Sequence, residues 1–151
     1  MIFSSSCVYG IRAVVYLAMQ YNRQFVPIRE ISMNLNISFH FLTKILQILT
    51  ENGLVISFRG PKGGVKLTRS PDSISLIQII HTLDGSHIFD GCILGLPGCT
   101  TRTPCLLHDH WAKQREQLKH HFSSITLKTL AEQVQKEGLR LYDFSETANM
   151  S

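Results

Sequence analysis

Residues 28–67 read IREISMNLNISFHFLTKILQILTENGLVISFRGPKGGVKL, and this stretch decides the fold. Pro27 stands where a first helical turn tolerates a missing N–H, and Ile28, Ile31 and Leu35 recur at helical spacing. A short helix is therefore expected. Ser38 is a suitable N-cap for the next helix, in which Phe41, Leu42, Ile45, Leu46 and Leu49 form one apolar face and Asn52-Gly53 stops it. The few residues between the two helices leave room for a tight turn. Two β-rich runs then flank RGPKGG, which reads as a hairpin with a Gly/Pro tip.

Upstream, SSSCVYGIRAVVYLAMQY opens with serines suited to capping and repeats Val8, Ile11, Val15, Leu17 and Ala18 along a helix. Helix, short helix, turn, helix and basic hairpin is the order of a winged helix-turn-helix. After Pro71, DSISLIQIIHTLDG reads as another capped helix ending at Gly85. A loop rich in Gly, Pro, Thr and cysteine follows. LLHDHWAKQREQLKHHFSSI then places Leu107, Trp111, Gln114, Leu118 and Phe122 at steps of four, three, four and four, close to a heptad seam. Such a stripe either packs on the chain's own core or meets a second copy, and pairing with a second copy is the economical answer. TLKTLAEQVQKEG reads as a final short helix.

The fold class expected is mainly α, a winged helix-turn-helix DNA-binding domain plus a long dimerisation helix. Residues 1–84 would form the DNA-binding domain and 85–108 a metal-carrying loop. Residues 105–136 would supply the dimerisation helix and a short C-terminal helix, and 137–151 a flexible tail.

The chain has 151 residues, 44% of them hydrophobic, which suits one ordinary domain with an appendage. No run reaches 18 apolar residues, and the start lacks the basic region and cleavage site of a signal peptide, so a cytoplasmic protein without membrane contact is expected. Charge is unevenly spread. Residues 1–70 carry eight Lys/Arg against two Glu, a net +6, whereas the rest carry seven against nine, a net −2. A basic amino-terminal half points to a polyanion partner.

In a helix-turn-helix the second helix enters the major groove and its first turns meet base edges. Those turns carry Ser38, His40, Thr43 and Lys44, whose side chains donate or accept hydrogen bonds there. Phe39 suits either a thymine-methyl contact or the core. On the hairpin, Arg59 is placed for a narrow minor groove, where negative potential is focused. Lys62 and Lys66 suit phosphates, which supply affinity and salt dependence rather than sequence choice.

Three of the four cysteines fall in DGCILGLPGCTTRTPCLLHDHW, residues 90–111, as Cys92-x6-Cys99-x5-Cys105-x2-His108. In a reducing compartment clustered thiols point to metal or redox chemistry rather than to disulfides. The spacings are wider than zinc-finger pairs and match neither ferredoxin pattern. Three thiolates and an imidazole on this loop suit zinc or an iron–sulfur cluster, and the wide spacing suits the larger cluster better. His108 is the first candidate for the fourth ligand. Asp109, His110 and a residue of a second subunit are the alternatives. Cys7, at the start of the first helix, reads as a packed thiol. No nucleophile–base pair accompanies the cysteines, so an enzyme is not expected.

The combination of the RGPKGG wing with the three-cysteine loop LPGCTTRTPCLLHDHW, together with SSSCVYGIRAVVYLA and IREISMNLNIS, resembles the IscR/NsrR/RirA family of bacterial winged-helix regulators over roughly residues 1–135. The resemblance implies a homodimeric transcription regulator, mainly a repressor, on a palindromic double-stranded DNA operator. It implies one iron–sulfur cluster per subunit, 2Fe–2S preferred and 4Fe–4S the second choice, through which redox, iron–sulfur or nitric oxide status is sensed. The metal ligands it implies are Cys92, Cys99, Cys105 and His108. The DNA contacts it implies are Ser38, His40, Phe41, Thr43, Lys44 and Arg59. Thr43 stands where the IscR branch carries an acidic residue, and the loop between the first two cysteines is one residue longer than in that branch. A regulator working without iron, as a thiol switch or with structural zinc, is the alternative reading.

Overall fold

The structure, a computed structural model, describes residues 2–142. The part of the expected flexible tail from residue 143 onward lies outside the described residues. Among the described residues, seven α-helices and one two-stranded sheet follow in the order α1 (Ser5–Met19), α2 (Ile28–Leu35), α3 (Phe39–Glu51), β1 (Val55–Phe58), β2 (Gly64–Leu67), α4 (Leu76–Asp84), α5 (His87–Asp90), α6 (His108–Ser124) and α7 (Leu127–Glu137). The mainly helical winged helix-turn-helix is thus present.

Local chemistry explains each boundary. The Ser4 side chain accepts from the Cys7 amide and starts α1. Between α2 and α3, Asn36 takes a left-handed conformation (φ 53°), and the Ile37 amide returns to the Ser32 carbonyl at 3.0 Å. That closes the helix-turn-helix in three residues. The Ser38 hydroxyl accepts from the Phe41 amide at the head of α3. Ser75 and Gln78 form a reciprocal capping box that starts α4.

Strands β1 and β2 pair antiparallel, Val55 opposite Leu67 and Phe58 opposite Gly64, so residues 59–63 form the wing tip. Gly64 has φ 152°, and a Cβ there would lie 2.2 Å from the Val26 carbonyl oxygen. Only glycine allows the wing to lie this close to the segment before α2, where Val26 and Val65 exchange backbone hydrogen bonds at 2.9 Å.

The main core joins α1, α2, α3 and the sheet through Val14, Ile31, Leu42, Ile45 and Leu49, all at most 1% exposed. Helix α7 returns to this body. Its Leu127 is fully buried, its amide donates to the Ile74 carbonyl at 2.9 Å, and the Leu76 amide donates to the Ile125 carbonyl at 2.8 Å. The starts of α4 and α7 are thereby stitched together, although α5, the cysteine-bearing loop and α6 lie between them in sequence.

A second, smaller cluster holds Cys7, Ile77, Ile80 and Phe89, with Leu118 and Phe122 of α6 packed on its edge. The lower half of the α6 stripe therefore serves the chain's own core. Even so, α6 contains no buried residue along its 17 positions, so the helix lies on the outside of the protomer.

Candidate nucleic-acid interface and metal centre

The exposed first turns of α3 carry Ser38, His40 and Lys44, with Thr43 half-buried beside them. The Thr43 hydroxyl donates to the Phe39 carbonyl at 2.8 Å, which fixes its rotamer within the helix. Phe41 is half-buried and meets the Tyr9 ring edge-on at 5.6 Å. It belongs to the inward-facing set that the helical spacing assigned to it. Arg59 and Lys62 stand exposed on the wing tip, and Lys66 is half-buried in β2.

A groove of about 590 Å³ runs between α3 and the wing. Thr43 and Gln47 line one wall and Ser57 and Arg59 the other. Arg29, at the start of α2, also reaches this groove, its guanidinium 5.0 Å from the centre of the Phe39 ring. Sequence patterning offers no signal for Arg29, because its place depends on how α2 crosses α3. Across the wing base, Phe25 stacks on Phe58 at 5.3 Å, and the Lys66 ammonium sits 5.6 Å from the Phe25 ring. These contacts hold the hairpin at a set angle to α3 and present two basic side chains beyond it.

The second site lies where the chain leaves α5. Cys92, Cys99 and Cys105 bring their sulfurs within 4.8 Å of one another. Cys92 Sγ is 3.6 Å from Cys105 Sγ, and Cys99 Sγ is 3.3 Å from His108 Nδ1. Fourteen residues, 92–105, are thus folded so that three thiols converge, with His108, the first residue of α6, at their edge. Asp109 and His110 are exposed. All four cysteines are free thiols.

Cys7 is fully buried in the second cluster, as a packed thiol should be. Burial first, and the nearby Asp84 carboxylate second, push its pKa up to about 12.

The loop treats its thiols unequally. The backbone amide of Leu96, with that of Leu94 and the neighbouring thiols, pulls Cys92 down to about 7 against the desolvation that opposes it. At Cys99 the backbone amide of Cys105 pulls downward. Desolvation and the thiols of Cys92 and Cys105 outweigh it, so Cys99 stays protonated above the ordinary thiol value. Backbone donors aimed at sulfur, with several thiols sharing one site, are the surroundings that suit metal-bound thiolate.

The hinge of this loop is the Gly91 carbonyl. It accepts from Trp111 Nε1 at 3.0 Å and from Arg115 Nη1 at 3.1 Å, both on α6. Lys119 reaches Asp90 at 3.6 Å one turn further along. Trp111 was visible in the sequence as part of an apolar stripe, but its indole N–H points to a role that spacing does not encode. Arg115 carried no signal at all. Loop, α5 and α6 are joined through these three residues.

A helix-turn-helix with a basic wing packed against it defines a winged-helix DNA-binding regulator, here with a three-thiol centre attached. The family model for Rrf2, the iron-dependent transcriptional regulators, matches residues 3–133, and the chain belongs to that family. It is 34% identical over 122 residues to the transcriptional regulator IscR of Klebsiella pneumoniae, covering 81% of this chain and 74% of that protein. It is 33% identical over 122 residues to IscR of Erwinia tasmaniensis, covering 81% and 73%. Among solved structures it is similar to CymR, the global cysteine regulator of B. subtilis, with a TM-score of 0.75, 28% identity and coverage of 86% of this chain and 95% of that one. It is likewise similar to IscR of T. potens, with a TM-score of 0.71, 26% identity and coverage of 95% and 94%. Transcription regulation through a helix-turn-helix is therefore this chain's role. Among the described residues no helix is long and apolar enough to cross a membrane.

Proposed function

We propose that the protein is a cytoplasmic, homodimeric repressor that binds a palindromic operator and reads redox, iron–sulfur or nitric oxide status through an iron–sulfur cluster. The observation that carries this reading is the convergence of three thiols within 4.8 Å on a loop otherwise poor in functional side chains. Cys92, Cys99 and Cys105 would hold the cluster, one per subunit, with His108 as fourth ligand from its place against Cys99. A 2Fe–2S cluster suits one imidazole and three thiolates, with 4Fe–4S the second choice. A bound cluster supplies an anionic centre that oxidants or nitric oxide can alter or remove.

The chain's own residues supply the rest. Ser38, His40, Thr43 and Lys44 would meet base edges and phosphates in the major groove, with Phe41 bracing that helix against α1. Arg59 would enter the minor groove, and Lys62 would pair with phosphate. Helix α6, with no buried residue in the single protomer, suits a two-fold interface that spaces two recognition helices on one face of DNA. Relatives of this chain are transcriptional regulators, and the reading assigns it no catalysis.

Anaerobic purification of the full chain tests the reading. It should give coloured protein with iron and acid-labile sulfide that retards operator DNA. Colourless, iron-free protein that still retards the same DNA would contradict the cluster.

One observation favours a second reading. Cys92 and Cys105 are 3.6 Å apart, close enough that a thiol switch working without iron needs little movement to join them, and structural zinc would use the same donors. Zinc content and the disulfides formed under peroxide separate this reading from the first.

A further inference from the structure

Arg115 occupies an unusual position. Its Nη1 is committed to the Gly91 carbonyl, and its Nε is buried with no hydrogen-bond partner. A guanidinium is charged under all ordinary conditions, and burying part of it is costly unless an anion or several acceptors lie nearby. The acidic groups about it do not meet this need. Asp90 is taken by Lys119 on the same helix, and Asp109, at the start of α6, is exposed. What lies one residue beyond the carbonyl Arg115 holds is Cys92, a member of the three-thiol group. Trp111 donates to that same carbonyl from one turn earlier on α6, so two donors fix a single peptide at the root of the loop.

We propose that Trp111 and Arg115 are positioning residues for the metal centre: together they clamp the Gly91 carbonyl and hold Cys92 in register with Cys99 and Cys105. The inference rests on the reading of the three thiols as metal ligands. It gives α6 a second task besides any interface, because a change in the loop's occupancy must pull on Trp111 and Arg115 and so on the helix that carries them. The two donors divide the work. Trp111 orients, since its indole is neutral. Arg115 orients through a charged donor on the same oxygen, which makes the stronger bond.

Cobalt(II) titration of the reduced, metal-free full chain tests the proposal, read through thiolate-to-cobalt charge-transfer absorbance with circular dichroism as the folding control. Wild-type protein should show the thiolate bands. Arg115→Met should weaken cobalt binding by roughly 10–100-fold, the range usual for loss of a residue that orients a metal ligand. Arg115→Lys should recover part of that loss, because an ammonium can still donate to the Gly91 carbonyl, though without the planar fork. Trp111→Phe, which keeps an aromatic ring and removes one donor, should lose a smaller factor. Equal affinity in wild type and Arg115→Met overturns the clamp, and so does a loss that lysine fails to relieve. If Arg115→Met does not fold, unchanged affinity in Trp111→Phe overturns it instead. Wild-type protein without thiolate bands overturns the reading of the thiols as metal ligands, a failure distinct from that of the clamp.

Discussion

Replacing Phe89 by alanine should loosen α5 and α6 from the helix-turn-helix body. Phe89 lies in α5, between α4 and the cysteine loop, and is fully buried against Cys7, Ile77 and Ile80. His81 meets its ring at 5.4 Å and Phe122 of α6 meets it edge-on at 6.1 Å. Truncating a buried phenylalanine to alanine costs about 3–5 kcal/mol from lost transfer energy and the cavity left behind. Aromatic pairs of this geometry account for about 0.5–1.5 kcal/mol each beyond area burial.

The second cluster is small, with four buried residues, so the lower part of that range, about 3 kcal/mol, is the expected cost. Urea denaturation at one fixed protein concentration measures it. Phe89→Leu keeps most of the volume and should cost under about 1.5 kcal/mol. A loss below about 1 kcal/mol for the alanine variant would refute the assignment of Phe89 as the anchor of α5 and α6.

Gly64→Ala should displace the wing, since its Cβ would lie 2.2 Å from the Val26 carbonyl oxygen; a lower melting temperature together with weaker DNA retardation is expected, and neither would change if the backbone approach were looser than described. Arg59→Ala should weaken DNA binding by about 1–3 kcal/mol while metal content stays the same, and Lys62→Ala should lower the salt slope of binding by about 1, both measured by fluorescence anisotropy at several salt concentrations. Cys7, with its pKa pushed up to about 12, should resist alkylation at pH 8 in the folded, metal-free protein while Cys92 reacts first. The raised value also means that Cys7 holds its proton in the folded state after an unfolded chain has lost it. Stability from that thiol is therefore complete below about pH 9, the ordinary thiol value, and is lost as pH rises toward about 12; Cys7→Ala should flatten this alkaline limb in pH-dependent melting.

Much of the body was legible from local signals. Ser38 and Asn52-Gly53 mark helix ends by side-chain and backbone chemistry that acts within a few residues. The apolar faces of α1, α2 and α3 follow from periodicity. The hairpin follows from two β-rich runs around a Gly/Pro tip. What local signals do not encode is which distant segments meet. Nothing in TLKTLAEQVQKEG tells that Leu127 closes the core beside Ile74, because that pairing depends on the length and path of the chain between them. The heptad stripe on α6 was readable as apolar, yet its division between the chain's own second cluster and an outer face was not, since Leu118 and Phe122 look the same in either role.

The sites divide in the same way. Three cysteines in a loop signal their chemistry by composition, and the structure brings their sulfurs together. His108 was readable as a candidate through its spacing from Cys105, and it stands beside Cys99. Arg29 and Arg115 were not readable, for each gains its place by tertiary packing: Arg29 over the Phe39 ring, and Arg115 against the carbonyl of a residue 24 positions earlier.

Under the proposed function, the thiol centre and the DNA-binding face report to one another. The most direct test is the operator affinity of the anaerobically purified full chain, measured before and after removal of its iron at one fixed salt concentration. Coupling between two sites in one protein commonly amounts to about 5–150-fold in affinity, and a shift in that range is expected here. Identical affinities in protein shown to carry iron and sulfide and in protein shown to have lost them would contradict it.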